Sequence, residues 1–274
     1  MTAKNFSLRH YLSVGYYSFK LALQRQIEYP MFLVSWFLMN PIKWFGGVYM
    51  LHVIISNFQP IQGWTLPEIV FLYSLSLLSH GLHITLFIQI WFIGRMVIQG
   101  GFDRMLLQPI SPFYSFSVMY INVIGFSDLF PGLILFAYAS HTLNIEWDFL
   151  KILSVFIVVG SGTLLRAGVY LIVDSMSFWN KGRWTMAKFI DPIMSQTSNY
   201  PLSIYPRRLQ DVLTFILPIG FLAYYPALDI LDKPSDYFAS SQLLTITVAI
   251  SISFFLLGMT IFHQGLKHYE STGN

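Results

Sequence analysis

The sequence contains no cysteine, which excludes disulfides and thiolate metal sites. It also has little charge. Only 11% of its 274 residues are Asp, Glu, Lys or Arg, against about 25% in an ordinary soluble domain. A chain this poor in charge cannot clothe a folded surface for water, so lipid is the expected solvent. The net charge of +3 does not imply nucleic acid as a partner. No phosphate-gripping Gly-Lys-Ser/Thr turn occurs. Gly160–Gly168, GSGTLLRAG, is glycine-rich but lacks that ending. Its small residues suit close helix packing instead. The metalloprotease pattern His-Glu-x-x-His is missing as well. Lys4, Arg9, Lys20 and Arg25 are scattered among apolar residues, which is not the layout of a cleaved secretory signal. Asn5-Phe6-Ser7 fits the glycosylation pattern but falls on the side expected to be inside.

What is present is apolar: 55% hydrophobic and 18% aromatic residues. The expected fold is an all-α integral membrane domain over residues 1–274. Six transmembrane helices are read at 31–55, 67–93, 113–139, 149–174, 185–204 and 241–263, most near the roughly 20 residues a bilayer requires. Pro41 and Lys43 interrupt the first, Asp128 and Pro131 the third, Asp191 and Pro192 the fifth. Residues 6–27 read as an interfacial helix, with Leu8, Leu12, Tyr16, Phe19 and Leu23 on one stripe. Between helices five and six, 209–231 is apolar but broken by Pro218 and Pro226. The prolines favour two short helices that dip in and return, an external re-entrant hairpin spanning 205–234. Such backbone requires protein or water around it.

Lys and Arg set the orientation. With the N-terminus inside, the cytoplasmic pieces hold Lys4, Arg9, Lys20, Arg25, Arg95, Arg104, Lys181, Arg183, Lys188 and Lys267. The external pieces hold only Arg207, Arg208 and Lys233. Both termini are therefore expected in the cytoplasm, with the chain in the cell membrane.

Lys43, Asp128 and Arg166 fall deep within spans. A lone charge there costs several kcal/mol against lipid, so Asp128 is expected to pair with Lys43 or Arg166. Such a pair either lines a polar pathway or is structural. His80 and His83 stand at i and i+3, but no ligand set for a metal accompanies them. They are read as lining or hydrogen-bonding groups inside the bundle. Trp64, Trp147, Trp179 and Trp184 lie near span ends, where interfacial belts place them.

The segment 94–112 stands apart. Gly100 and Gly101 permit a tight bend. Phe102, Met105 and Leu106 share a helical face beside Asp103 and Arg104. Pro109 and Pro112 stop the helix. A short helix with an apolar face on the cytoplasmic side is expected to dock, on a partner or on its own bundle.

The run GGFDRMLLQPISP, Gly100 to Pro112, resembles the cytoplasmic loop between the second and third helices of ABC-2 type permeases, in the branch with a Gly-x-Phe-Asp-x-x-Leu-Leu-x-Pro pattern. YPLSIYPRRLQDVLTFILP, Tyr200 to Pro218, is similar to the same family's stretch after its fifth helix. The resemblance implies the transmembrane subunit of an ATP-binding cassette exporter, without a cofactor of its own. ATP and Mg would sit on separate cytoplasmic ATPase subunits, and a second permease subunit would complete the pathway. By position, Gly101, Phe102, Asp103, Leu106, Leu107 and Pro109 would belong to the coupling region, with Arg104 beside them. Pro201, Pro206, Leu209, Gln210 and Pro218 would belong to the external gate. Arg207 and Arg208 depart from the pattern and would steer an anionic substrate or bind outer-leaflet headgroups. Two other readings stay open: a secondary transporter or channel using Asp128 and Arg166, and a membrane enzyme with His80 and His83 at its site.

Overall fold

A computed structural model describes residues 8–28, 30–58, 63–118, 121–180 and 187–271. Residues 6 and 7 of the expected surface helix, the Asn5–Ser7 pattern, Lys4, Lys181, Arg183 and Trp184 lie outside the described residues. Among the described residues the regular structure is helical, with no strand. The helices are α1 (Leu8–Ile27), α2 (Pro30–Phe58), α3 (Leu66–Phe87), α4 (Ile93–Ile98), α5 (Gly101–Leu106), α6 (Pro112–Val118), α7 (Phe126–Thr142), α8 (Phe149–Ser175), α9 (Ala187–Thr197), α10 (Arg207–Asp211), α11 (Tyr224–Ile230) and α12 (Leu243–Lys267).

Four stretches among the described residues are long and apolar enough to cross a membrane: Leu66–Ile98, Val123–Thr142, Phe149–Phe178 and Ser240–Lys267. The chain is a multi-pass membrane protein. α2 has 29 residues, about 43 Å at 1.5 Å per residue, and carries Pro41 without ending. Its polar Asn40, Lys43 and His52 dilute its apolar character. The expected span 113–139 is not one helix. α6 ends at Val118, Ile121 and Asn122 are non-helical, and a new helical stretch starts at Val123. The Asn122 side chain accepts from Ile124 N–H at 2.9 Å and caps that start. The expected fifth span, 185–204, contains the 11-residue α9. At about 16 Å, α9 is shorter than a bilayer core.

α3 is the central element. Every residue from Ile69 to Ser79 is buried, as expected of a helix apolar on all sides. It packs against α7 on one flank and α8 on another, and α8 packs against α12. Thr65 and Glu68 explain its start: the Glu68 carboxylate accepts from the Thr65 backbone N–H at 2.8 Å, half of a capping box. Lys233 Nζ reaches Glu68 at 2.8 Å, and Lys151 Nζ lies 3.6 Å from Asp232. The 231–233 turn thus sits over the starts of α3 and α8. The α4–α5 segment follows the other end of α3.

Small residues set the helix spacing. A Cβ on Gly168 would meet backbone atoms of Phe254 and Phe255 at 2.6 Å. One on Gly258 would meet the Gly168 carbonyl at 2.8 Å. α8 and α12 therefore touch backbone to backbone, the packing that small residues permit in lipid. Within GSGTLLRAG, Gly168 serves this purpose and Gly162 lets α8 approach Ser79 of α3, whereas Gly160 faces open space. Gly168→Val is expected to destabilise the purified protein by about 1–3 kcal/mol through overpacking, and Gly160→Val by less than about 0.5 kcal/mol. Thermal unfolding in detergent checks the difference.

Candidate functional site

The deep charges do not pair as the sequence reading expects. Asp128, at the start of α7, is only 2% exposed. His80 Nδ1 lies 2.9 Å from its Oδ2. Trp44 Nε1 donates to Oδ1 at 2.6 Å and Asn40 Nδ2 donates to the same oxygen at 3.1 Å. Asn40 also donates to Ser127 Oγ at 2.8 Å. Neither Lys43 nor Arg166 is the partner. Lys43 is exposed on α2, its ammonium 4.4 Å from the Trp44 ring centre. That contact lets a lysine within an apolar helix reach a π face instead of a carboxylate.

Arg166 is fully buried on α8. Its Nη2 donates to Ser76 Oγ at 3.1 Å and Ser198 Oγ at 3.0 Å. Ser76 and Ser198 lie 2.8 Å apart, and Ser76 also donates to Asn199 Oδ1 at 3.0 Å. One turn along α8, Tyr170 donates to Asp191 Oδ1 at 2.7 Å. Asp191 in turn lies 4.0 Å from His80 Nε2. His83 is buried against the rings of Tyr170, Trp91 and Phe87, and no cluster of three metal-ligating residues forms among the described residues. The two histidines therefore diverge: His80 joins carboxylates, His83 joins aromatics. Together these contacts draw a polar seam from α2 through α7, α3 and α8 to α9.

At the other end of α3 lies the 94–112 segment. Gly100 takes the left-handed conformation, φ 69°, which glycine adopts without strain. α5 then folds back onto the bundle. The expected apolar face does not point outward as a unit. Phe102 is completely buried, its ring 5.2 Å from Phe178, 5.7 Å from Tyr269, 6.0 Å from Phe116 and 6.1 Å from Phe262. Met105 is buried beside it. Leu106, Leu107, Arg104 and Pro109 are exposed, Leu107 at 86%. Asp103 accepts from Ser271 Oγ at 2.8 Å, so the residues after α12 fold over α5. Burial and then the Asp103 carboxylate push the Tyr269 hydroxyl up to about 12. Gly101, Phe92, Arg95, Gln99, Arg104 and Leu107 help line an open groove of about 800 Å³. Arg95 stacks its guanidinium 5.3 Å from Phe92.

The 205–234 region is a chain of short helical pieces. α10 passes into a π-turn over Val212–Ile216 that ends before Pro218. A 3-10 turn over Ile219–Leu222 leads into α11. Pro218 breaks the path as its chemistry requires; Pro226 sits inside the first turn of α11 and does not. Pro201 and Pro218 are buried, while Pro206, Arg208 and Leu209 are exposed. Arg207 is not a free cation: its Nη1 lies 3.2 Å from Asp236 and its guanidinium 4.1 Å from the Tyr237 ring. Tyr237 also donates to Asp211. Lys233 lies 4.5 Å above the Trp64 ring, and Trp64 itself is buried rather than set in an interfacial belt.

The sequence reading missed Asn40, Trp44, Ser76, Tyr170, Ser198, Tyr269 and Ser271 as partners of the charged residues, and Asn199 as a partner of Ser76. Part of the signal was available. Ser76, Ser79, His80 and His83 fall on one stripe of α3, and Thr163, Arg166 and Tyr170 on one stripe of α8, at helical spacing. Two polar stripes in apolar helices are expected to meet. Which residue of one touches which of the other depends on packing.

The burial of Phe102 separates stability from surface contact. Phe102→Ala is expected to cost about 3–5 kcal/mol, whereas Leu107→Ala is expected to stay within about 0.5 kcal/mol. Equilibrium unfolding of the two variants in detergent measures both.

No curated protein and no solved structure matches the chain. A family model, described as ABC-2 family transporter protein, matches residues 42–273. That match takes in the polar seam from Trp44 onward, the 94–112 segment and the 205–234 region. The chain belongs to the ABC-2 transporter family.

Proposed function

We propose that this chain is the permease subunit of an ATP-binding cassette exporter. ATP and Mg are bound and hydrolysed on separate ATPase subunits, and a second permease, identical or related, completes the pathway. The chain lies in the cell membrane with both termini in the cytoplasm. α2 and the 185–204 segment, of which the short α9 is only a part, add to the four long apolar stretches to make six crossings, and 205–234 is the external re-entrant gate. α1 lies along the membrane surface, its Tyr16 and Phe19 exposed and available to lipid.

The observation that carries this reading is the family match together with the placement of two segments at opposite ends of α3. At one end, α5 is clamped through Phe102 to Phe178, just beyond α8, and to Phe262 on α12. A push on the exposed Arg104–Leu107 edge therefore acts on both long helices at once. Beside Ser79, midway along α3, Gly162 of α8 abuts the Leu222 carbonyl, so displacement of α8 bears directly on the 205–234 region. ATP-driven closure of the partner would be transmitted as a rigid-body shift of packed helices.

The docking edge is Arg104, Leu107 and Arg95, not Phe102. Leu107→Asp, exposed and remote from the aromatic cluster, is expected to cut co-purification of the ATPase subunit at least tenfold while leaving the thermal midpoint of the permease within about 2 °C. Retained ATPase binding in Leu107→Asp and Arg104→Glu would exclude this edge as the contact. Transport that persists without any ATPase and collapses with the proton gradient would favour a secondary transporter.

A further inference from the structure

α7 and α8 both pack on α3 and leave a cleft between them. Leu78 of α3, Leu133 and Phe136 of α7, and Val155 and Val159 of α8 line it. Trp147, from the turn joining α7 to α8, lines its end at that turn, its ring 5.4 Å from Phe136. The cleft has a volume of about 390 Å³, and its lining exposes no polar atom. Leu133, Ile152 and Phe156 around it are exposed. It therefore opens on the outer side of two membrane-crossing stretches, Val123–Thr142 and Phe149–Phe178.

Three fillers compete for such a space. Water needs two or more polar partners to stay in a cavity, and this lining offers none. An empty cleft forfeits the dispersion contacts of its walls. A second protein helix is too thick. From the start of α8 at Phe149 to Val159 the cleft runs roughly 15 Å, at 1.5 Å per residue. Spread over that length, 390 Å³ gives a section of roughly 26 Å², against roughly 80 Å² for a helix about 10 Å across. A single hydrocarbon chain is thin enough. The length agrees as well, since one leaflet contributes about half of the roughly 30 Å hydrocarbon core.

The mouth of the cleft selects a headgroup. Lys151 stands one turn before Val155 on α8, its Nζ 3.6 Å from Asp232. Glu146 and Asp148 flank Trp147, and both are exposed, as is Asp232. Asp148 accepts from the Lys151 backbone N–H at 2.7 Å. One ammonium among three carboxylates repels a headgroup that carries only negative charge. A zwitterionic headgroup satisfies both signs, its phosphate on the lysine and its amine on the acids.

We propose that the α7–α8 cleft is a phospholipid site. It holds one acyl chain of a zwitterionic lipid, with the phosphate at Lys151 and the amine facing Glu146, Asp148 and Asp232. In the orientation proposed above, the lipid belongs to the outer leaflet. The site requires only that the chain crosses a membrane, so its test uses the permease alone and is indifferent to any ATPase.

The full-length protein is placed in nanodiscs containing a trace of phosphatidylethanolamine with a photoactivatable diazirine in its acyl chain, and labelled peptides are mapped by mass spectrometry. Residues 147–159 are expected to be labelled about tenfold more than 250–257 of α12, where Ile252, Leu256 and Leu257 are also exposed to lipid. Excess unlabelled phosphatidylethanolamine is expected to remove that enrichment, and excess phosphatidylglycerol to leave it. Val155→Phe, which fills the cleft, and Lys151→Glu, which reverses the charge at its mouth, are each expected to lower labelling to the α12 level. Lys151→Glu lies at the surface and keeps the test available should Val155→Phe fail to fold. Equal labelling of the two stretches, which marks ordinary boundary lipid, would overturn the proposal. So would equal competition by the two lipids, or labelling unmoved by Lys151→Glu. The chain has no cysteine, so a disulfide between two copies of Ile152→Cys would place a second copy over the cleft and overturn it too.

Discussion

A helix buried on every side cannot turn its polar atoms to water or to lipid headgroups. α3 is such a helix: Ser76, Ser79 and His80 find hydrogen-bond partners inside the bundle, whereas His83 lies against aromatic rings. Leaving the first three unpaired in an apolar interior would cost roughly 1–3 kcal/mol for each neutral group. The bundle answers by bringing Asp128 from α7, Arg166 from α8 and Ser198 from the end of α9 against the same helix. The His80–Asp128 contact is the centre of this arrangement. Asn40 and Trp44 reach the same carboxylate, so α2 is fixed by it as well. The direction of dependence runs from the polar stripe of α3 to the positions of four neighbouring helices.

The apolar contacts have a different role. Phe102, Phe116, Phe178 and Phe262 form one aromatic knot below the seam, and Gly168 and Gly258 let α8 and α12 meet at backbone distance. Stacking and close packing are tolerant of sliding by fractions of an ångström, whereas hydrogen-bonded charges are not. The knot and the glycine contact hold blocks together, and the polar seam decides where α9 sits relative to them.

Composition and periodicity made the all-helical membrane class legible, because neither depends on neighbours. The run Gly100 to Pro112 and the stretch Tyr200 to Pro218 made the ABC-2 family legible, and the match over 42–273 agrees. Long-range partners were not legible. Asp128 and Arg166 have opposite charge, and pairing them was reasonable by charge alone. The structure instead gives Asp128 a histidine 48 positions away and gives Arg166 hydroxyls from two other segments. Phe102 shows the same limit: its spacing with Met105 and Leu106 marks an apolar face, but only packing determines that two of the three turn inward. The break between α6 and α7 at Asn122 also escaped: the sequence marks interruptions of 113–139 at Asp128 and Pro131, whereas the observed one depends on a side-chain cap at Asn122.

A pair of double-mutant cycles on unfolding free energy tests the central claim most directly. One combines His80→Gln with Asp128→Asn, and the other combines Arg166→Gln with Asp128→Asn. The geometry predicts a coupling above about 1 kcal/mol for the first pair and below about 0.5 kcal/mol for the second. A large coupling between Arg166 and Asp128, with none between His80 and Asp128, would contradict the account.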